Sequence, residues 1–473
     1  MDNNYILAVD IGSSKICVAI AENQDNKPKI LGYGLQKSQG IKKGAISNIE
    51  SASQAIRSAV SKAKRMSGKE DYFKKAIVSI SSVYTTSFKK SGFVNVNDGE
   101  ITIQEISRAI ESAAYHASTS IQDYSVIHIL PYRFKLDDQD YIEDPYGMIG
   151  NRLEVFVHII VAPKSAVENI KKAMRLAGLE VENIVLSSYA SCIATLLPDE
   201  REIGAICIDM GGRTSEIAVY LDNSMQFNNY VPVGSQHVTN DIAEAINTSI
   251  SASEKIKIDY VDLAYDKDND DGEVTLEVPS IGDNTVHHAS LKTIQDVTNQ
   301  RIVETFGILT GYTKQSGLED RVGTVVLTGG MAKTKNIKQI AEIFFVNHPV
   351  RIAKPIPLDG LTDDLQDETC STIIGLILYG SGRHTNYEKD SQGNIRHKKL
   401  LNNTDYMGQN LEMFQDTDLR NLSNNSEKDE ESAEKIDIIS KGQISKQNSK
   451  SAHSGGVTGW FKNKIDRMIE KYF

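Results

Sequence analysis

Two stretches decide the fold of this chain: YILAVDIGSSKICVAIA, from Tyr5 to Ala21, and IGAICIDMGGRTSEIAVYL, from Ile203 to Leu221. Each reads as an apolar strand ending in aspartate, a turn of glycine and other short residues, and a second apolar strand. Asp209 follows Asp10 by 199 positions (209 − 10). Both copies continue into a further strand and then a helical pattern, Ser47 to Met66 in one and Val238 to Asn247 in the other. One such hairpin is an ordinary turn. Two, each opening the same run of elements, predict duplicated α/β halves facing each other across a cleft.

The turns carry the chemistry. Gly12, Ser13 and Ser14, and Gly211, Gly212 and Thr214, expose successive backbone N–H groups and let phosphates approach them. Lys15 supplies a point charge for a β- or γ-phosphate. Asp10 and Asp209 are placed to flank one hydrated Mg2+, an ion that prefers a carboxylate or two, phosphate and retained water. A third signal lies at Thr324 to Ile337, where a strand ends in Thr328-Gly329-Gly330-Met331 before a helix from about Thr334. Paired glycines let a flat ligand lie against backbone, although an ordinary strand-to-helix turn reads the same way.

In this order the three motifs closely resemble those of the actin–hexokinase–heat-shock ATPase superfamily, with two phosphate loops and an adenosine loop. IVLSSYASCIA from Ile184 and STIIGLILYG from Ser371 resemble its two connecting helices. Within it the chain looks most like the FtsA family of bacterial cell-division actin homologues. HILPYRF from His128, DPYGMIGNRLEVFVHIIVAP from Asp144 and LDGLTDDLQDETCSTIIGLILYG from Leu358 carry that likeness, as does the layout of the C-terminal end. The resemblance implies ribonuclease-H-like halves around a nucleotide cleft. Residues 1–82 and 163–202 would form one (subdomain 1A) and 203–236 and 323–383 the other (2A). The inserted subdomain (1C) would span 83–162 and a second insert (2B) 237–322. It implies ATP with Mg2+, self-polymerisation, docking of the FtsZ C-terminal peptide on the second insert, and recruitment of later division proteins. It also carries over Gly234, Arg301 and Glu304 as nucleotide neighbours, the last two reading equally as a solvated i, i+3 pair. Asn183 aligns with the glutamine that positions the attacking water in actin, and its shorter amide places that water poorly. Arg213 stands where the family's second loop has its third glycine; its guanidinium either turns outward or joins the phosphate shell. These departures leave hydrolysis weak at most, so the chain reads as an adaptor before an enzyme.

Composition changes near Arg383. From about His384 to Ser454 the chain is polar, and Asn403 to Asp437 holds ten acids against three bases. Such a stretch reads as a disordered linker, expected over 384–454. The end, 455–473, is patterned again. Phe461, Ile465, Met468, Ile469, Tyr472 and Phe473 share one helical face; Lys464, Arg467 and Lys471 lie opposite, with Trp460 at the start. This is the pattern of an in-plane anchor on anionic lipid, here the inner membrane, although a helix docked back on its own domain would look similar.

The rest of the chain excludes more than it adds. A formal charge of −11 argues against nucleic-acid binding through bulk charge. No run of eighteen apolar residues spans a bilayer, and no secretory leader opens the sequence. Cys17, Cys192, Cys207 and Cys370 are far apart in apolar runs and read as buried free thiols rather than a disulfide or zinc site. A metabolic kinase would need a substrate-side general base in a recognisable motif and has no use for a tethered tail. A pilus-assembly actin homologue fits the fold, but the linker and terminal helix count against it.

Overall fold

Continuous apolar runs on either side of the two turns build two five-stranded sheets of the same order. The computed structural model describes residues 5–42, 44–69, 72–96, 99–118, 123–264, 274–281, 285–360 and 363–397. The chain divides into two units, Met1–His397 and Lys398–Phe473. The second lies outside the described residues, and with it the acidic stretch from 398 onward and the expected membrane face (Trp460, Phe461, Lys464, Ile465, Met468, Ile469, Tyr472, Phe473).

The first half opens with β1 (Tyr5–Ile11), β2 (Lys15–Gln24) and β3 (Lys27–Lys37), an antiparallel meander, then the short hairpin β4 (Ile41–Lys42) and β5 (Ala45–Ile46). Helix α1 (Ile49–Ser67) is capped by Asn48, whose side chain accepts the Ser51 N–H, and it ends at the left-handed Gly68. Strand β6 (Lys75–Ile80) then pairs parallel with β1. An insert follows: β7 (Thr86–Asn95), α2 (Ile103–Ser118), β8 (Tyr124–Leu136), β9 (Gln139–Ile142) and β10 (Arg152–Pro163). The chain returns through α3 (Lys164–Leu176) to β11 (Glu180–Leu186), parallel to β6, and crosses to the second half in α4 (Ser187–Thr195) and α5 (Pro198–Ile203).

There the pattern repeats. β12 (Ala205–Met210), β13 (Ser215–Leu221) and β14 (Ser224–Val231) form a second meander. A helix-rich excursion follows, with α6 (Ser235–Ala245), α7 (Ile250–Tyr260), the hairpin β15 (Thr275–Pro279) and β16 (Val286–Ser290), and the long α8 (Leu291–Ser316). β17 (Thr324–Thr328) and β18 (Val350–Ile352), joined by α9 (Ile337–Phe344), complete the sheet in parallel. The two sheets therefore read β3-β2-β1-β6-β11 and β14-β13-β12-β17-β18, the same topology twice.

Helix α10 (Ser371–Gly380) crosses α4 between the halves, and from Ser371 to Tyr379 every residue is buried. The crossing is close because Gly375 lacks a side chain. A Cβ there would stand 1.8 Å from the Ala190 carbonyl oxygen.

The structure corrects the expected start of the linker. Residues 384–397 are part of the fold: β19 (Glu388–Lys389) and β20 (Ile395–Arg396) extend the insert's sheet beside β8. The polar composition that read as disorder is here a buried network. The Glu388 carboxylate, 0% exposed, accepts from His128 Nδ1 at 2.7 Å, the Tyr379 hydroxyl at 2.8 Å and the Tyr189 hydroxyl at 2.9 Å. The Arg396 guanidinium lies over the Tyr379 ring, 4.1 Å from its centroid. This strap joins insert, α4 and α10 just before residue 398. Polar residues can order a segment when each finds a partner, a property that hydropathy does not register.

Candidate functional site in the cleft between the halves

Both aspartates stand at the ends of the central strands, β1 and β12, and both line one cleft with about 910 Å³ of empty space, open solvent included. Gly12, Ser13, Ser14 and Lys15 line it from one side and Gly211, Gly212 and Thr214 from the other, with Gly329 and Gly330 along a third edge. The loops meet: a Cβ on Gly212 would lie 2.9 Å from the Ser14 Oγ. Each is tied from behind. The Ser38 hydroxyl donates to the Gly12 carbonyl at 2.6 Å, and the first N–H groups of α6, at Ser235 and Gln236, donate to the Gly211 and Gly212 carbonyls.

Hydroxyl groups hold the two aspartates at the floor of the cleft. Asp10 accepts from the Ser79 hydroxyl at 2.8 Å. Asp209 accepts from Ser191 of α4 at 2.6 Å and from Thr372 of α10 at 3.3 Å. Burial pushes Asp10 up to about 6, against the Ser79 hydrogen bond and the Lys15 charge. Burial pushes Asp209 up to about 7, against its Ser191 bond, with Glu216 and Asp10 adding repulsion. Two carboxylates so perturbed by desolvation and by each other are what a cation between them would relieve. Among the described residues no group of three or more His, Cys, Asp or Glu could cage a metal. The donor set thus fits a hydrated Mg2+ shared with a ligand's phosphates rather than a protein-caged ion. Gly329, at φ 87°, is required here, since a Cβ would approach the Asp209 Oδ1 to 2.4 Å.

Lys15 reaches into the cleft, where its ammonium donates to the Thr369 hydroxyl at 2.6 Å and lies 3.4 Å from the Cys370 sulfur. Of the other expected residues, Gly234 packs behind the second loop, where a Cβ would stand 2.5 Å from the Gly211 oxygen. Met331 is buried and is not among the residues that line the cleft. Arg213 is likewise absent from the lining, and its Nε is buried with no hydrogen-bond partner among the described residues. Arg301 and Glu304 stand outside the lining on α8. Arg301 is held by Asp241 of α6 at 2.6 Å and by Glu304 at 2.8 Å.

Asn183 is a correction. It lies buried on β11 and donates to Asp390 of the strap at 2.9 Å, outside the cleft. The position facing the loops is taken instead by Glu216. Its carboxylate accepts from the Ser81 hydroxyl (2.7 Å), the Ser82 N–H (3.1 Å), the Ser82 hydroxyl (2.7 Å) and the Ser187 hydroxyl (2.7 Å). A signal for it existed, because an acid in the otherwise apolar strand IAVYL needs a reason, and register puts it directly opposite Asp209. Ser79, Ser191, Thr369 and Thr372 carried no such signal, as single hydroxyls in apolar runs commonly bond their own helix.

The comparisons agree with this geometry. A profile described as "Cell division protein FtsA" matches residues 206–375, and one described as "SHS2 domain inserted in FTSA" matches residues 83–161. The cell division protein FtsA of Helicobacter pylori (strain J99) is 42% identical over 420 residues, covering 83% of this chain and 85% of that one. The protein of the same name from Pseudomonas aeruginosa is 35% identical, covering 79% and 89%. Among solved structures, the "PilM-PilN type IV pilus biogenesis complex" superposes with a TM-score of 0.58 at 14% identity, covering 80% of this chain and 98% of that one, which speaks to the fold alone. With an actin-like pair of halves, the separately matched insert and relatives this similar over four fifths of its length, the chain belongs to the FtsA family of cell division proteins.

Proposed function

We propose that the protein binds Mg-ATP in the cleft, polymerises, and ties the FtsZ ring to the cytoplasmic face of the inner membrane through its C-terminal helix, recruiting later division proteins. The observation that carries this reading is the convergence of Asp10, Asp209 and both glycine-containing turns on one cleft in a member of the FtsA family. On this reading, residues 1–82 with 163–202 and 203–236 with 323–383 hold the nucleotide. Backbone N–H groups of the turns and the Lys15 ammonium bind phosphate, and the Gly329-Gly330 edge takes the adenosine. The metal would neutralise charge between phosphates and both carboxylates. Glu216, held by four donors, is the residue placed to orient a water, and the rigidity of that shell suits a slow ATPase.

The second insert offers a surface for FtsZ. Ile258 and Tyr260 of α7 are 70% and 48% exposed, and Val286 and Ile281 of the same excursion 63% and 62%. Exposed apolar side chains on that excursion would suit a protein partner, although the first insert carries others, Ile149 and Tyr115 among them. The anchor is argued from sequence: Ile465, Met468 and Ile469 would enter the headgroup boundary, each worth roughly 1.5–3 kcal/mol if fully buried. Among the described residues no helix is long and apolar enough to cross a membrane.

The test is flotation of FtsZ with anionic vesicles. Wild-type protein should carry FtsZ upward, whereas Ile465→Glu with Ile469→Glu should bind ATP and FtsZ yet leave both at the bottom of the gradient. Flotation equal to wild type would show that the helix is not the anchor.

A further inference from the structure

The strap of 384–397 grips the two helices that hold Asp209. The Leu186 N–H, at the start of α4, donates to His128 Nε2 at 3.0 Å, so the ring proton sits on Nδ1 and is given to Glu388. Within α4 the Tyr189 hydroxyl accepts the Thr385 N–H at 2.7 Å and donates to Glu388 at 2.9 Å. On α10 the Tyr379 hydroxyl donates to the same carboxylate, and Arg396 Nη2 donates to the Tyr379 carbonyl at 2.9 Å, near the helix end where carbonyls lack partners. One buried carboxylate thus gathers the insert, the start of α4 and the end of α10.

The same helices aim Asp209. Ser191, two residues after Tyr189, donates to it at 2.6 Å. Thr372, seven residues before Tyr379 and so on the same face of α10, donates at 3.3 Å. The two hydroxyls are themselves 3.1 Å apart. Ala190 lies between Tyr189 and Ser191, and there Gly375 brings α10 so close that no side chain is left to take up a shift. A displacement of either tyrosine is therefore passed along a packed helix to the hydroxyls on Asp209. Asp10 makes no use of this assembly, since its hydroxyl partner is Ser79 of β6.

We propose that the strap regulates the metal side of the cleft: by clamping α4 and α10 it positions Asp209, and it couples the seating of the insert to the hold on magnesium. Glu388 is a positioning residue for Asp209 and touches no ligand. The coupling runs both ways, so Mg-ATP that fixes Asp209 also steadies α4, α10 and the strap. Only the consequence for magnesium and ATP rests on the nucleotide reading of the cleft; the mechanical link between strap and helices does not.

Two variants of the full-length protein test it: Glu388→Gln, and Tyr379→Phe as a milder cut that removes one hydroxyl. Calorimetry gives the factor by which magnesium strengthens ATP binding. Both variants should lose about fivefold of that factor while binding ATP without magnesium as the wild type does. Ser191→Ala should lose a similar amount, and adding Glu388→Gln to it should cost nothing further, because both cut one path. Ser391→Ala, which loosens only the strap's hold on Asn183 and the Ile184 N–H, should keep the wild-type factor. Hydrogen exchange followed by mass spectrometry is the second readout. The segments of α4 and α10 that carry Ser191 and Thr372 should exchange faster in Glu388→Gln, β6 should not, and Mg-ATP should slow exchange in the wild-type strap. An unchanged magnesium factor in both strap variants, an equal loss in Ser391→Ala, or additive losses with Ser191→Ala would overturn the coupling. Wild-type protein that binds no Mg-ATP would instead defeat the nucleotide reading, and exchange would then decide the link. Unchanged exchange around Ser191 and Thr372 in Glu388→Gln, or a rise that reaches β6 equally, would overturn it.

Discussion

The two halves of the molecule share a strand order and a hairpin, and they differ in the residue that faces the aspartate across that hairpin. Register pairs Asp10 with Cys17 in the first half and Asp209 with Glu216 in the second. One half thus sets a buried thiol opposite its aspartate, and the other turns an acid toward Ser81, Ser82 and Ser187 of its counterpart. The duplicated backbone sets two equivalent aspartates and turns along one cleft. A single position on each hairpin then separates their chemistry. The halves also differ in what is attached to them: the first carries the insert locked by the strap of 384–397, while the second carries the helical excursion from α6 to α8.

The largest expected effect breaks the strap. Glu388→Ala leaves His128, Tyr189 and Tyr379 without their buried acceptor, and should lower stability by about 3–5 kcal/mol in denaturant titration. A loss below 1 kcal/mol would make 384–397 the passive linker that its composition suggested.

The insert's contact with the second half should be acid-sensitive. His158 of β10 is fully buried and donates from Nδ1 to the Met225 carbonyl of β14 at 3.0 Å, and burial pushes it down to about 3. Because the unfolded imidazole binds a proton near pH 6.5 and the folded one does not, stability is complete above that pH and falls as pH drops toward 3. About 2–3 kcal/mol should go between pH 6.5 and 4.5. His158→Gln, which can still donate but does not titrate there, should flatten that part of the curve; an unchanged slope would place the acid sensitivity elsewhere.

A smaller loss is expected where the halves cross. Gly375→Ala puts a Cβ against the Ala190 carbonyl and should cost about 1–3 kcal/mol as α4 and α10 move apart. The Gly311→Ala change, on open helix surface with no atom within 4 Å of a Cβ, is the matched control and should be neutral or slightly stabilising.

The duplicated hairpins are legible in the sequence because their signals are local: an apolar run, an aspartate and a turn of small residues. The insert's strands around Leu153 to Val161 and the helix from Ile103 were legible for the same reason. What escaped depends on distant partners. Glu388 is buried only because His128, Tyr189 and Tyr379 converge on it, and nothing near residue 388 announces them. Asn183 was assigned to the cleft by alignment, but the strap supplies Asp390 and Ser391 to hold it. Arg301 pairs with Asp241, sixty positions earlier, a partner that its own helix does not announce. Glu216 was within reach, since an acid in a buried strand opposite Asp209 is a local anomaly.

The account's central claim is that both halves contribute equally placed carboxylates to one Mg-nucleotide site. Calorimetric titration of ATP, with and without Mg2+, into the wild type, Asp10→Ala and Asp209→Ala tests it most directly. The account predicts that magnesium strengthens ATP binding by the wild type and that each variant loses most of that gain, because either substitution leaves the ion with one carboxylate fewer. Wild-type affinity and metal dependence in both variants would contradict it.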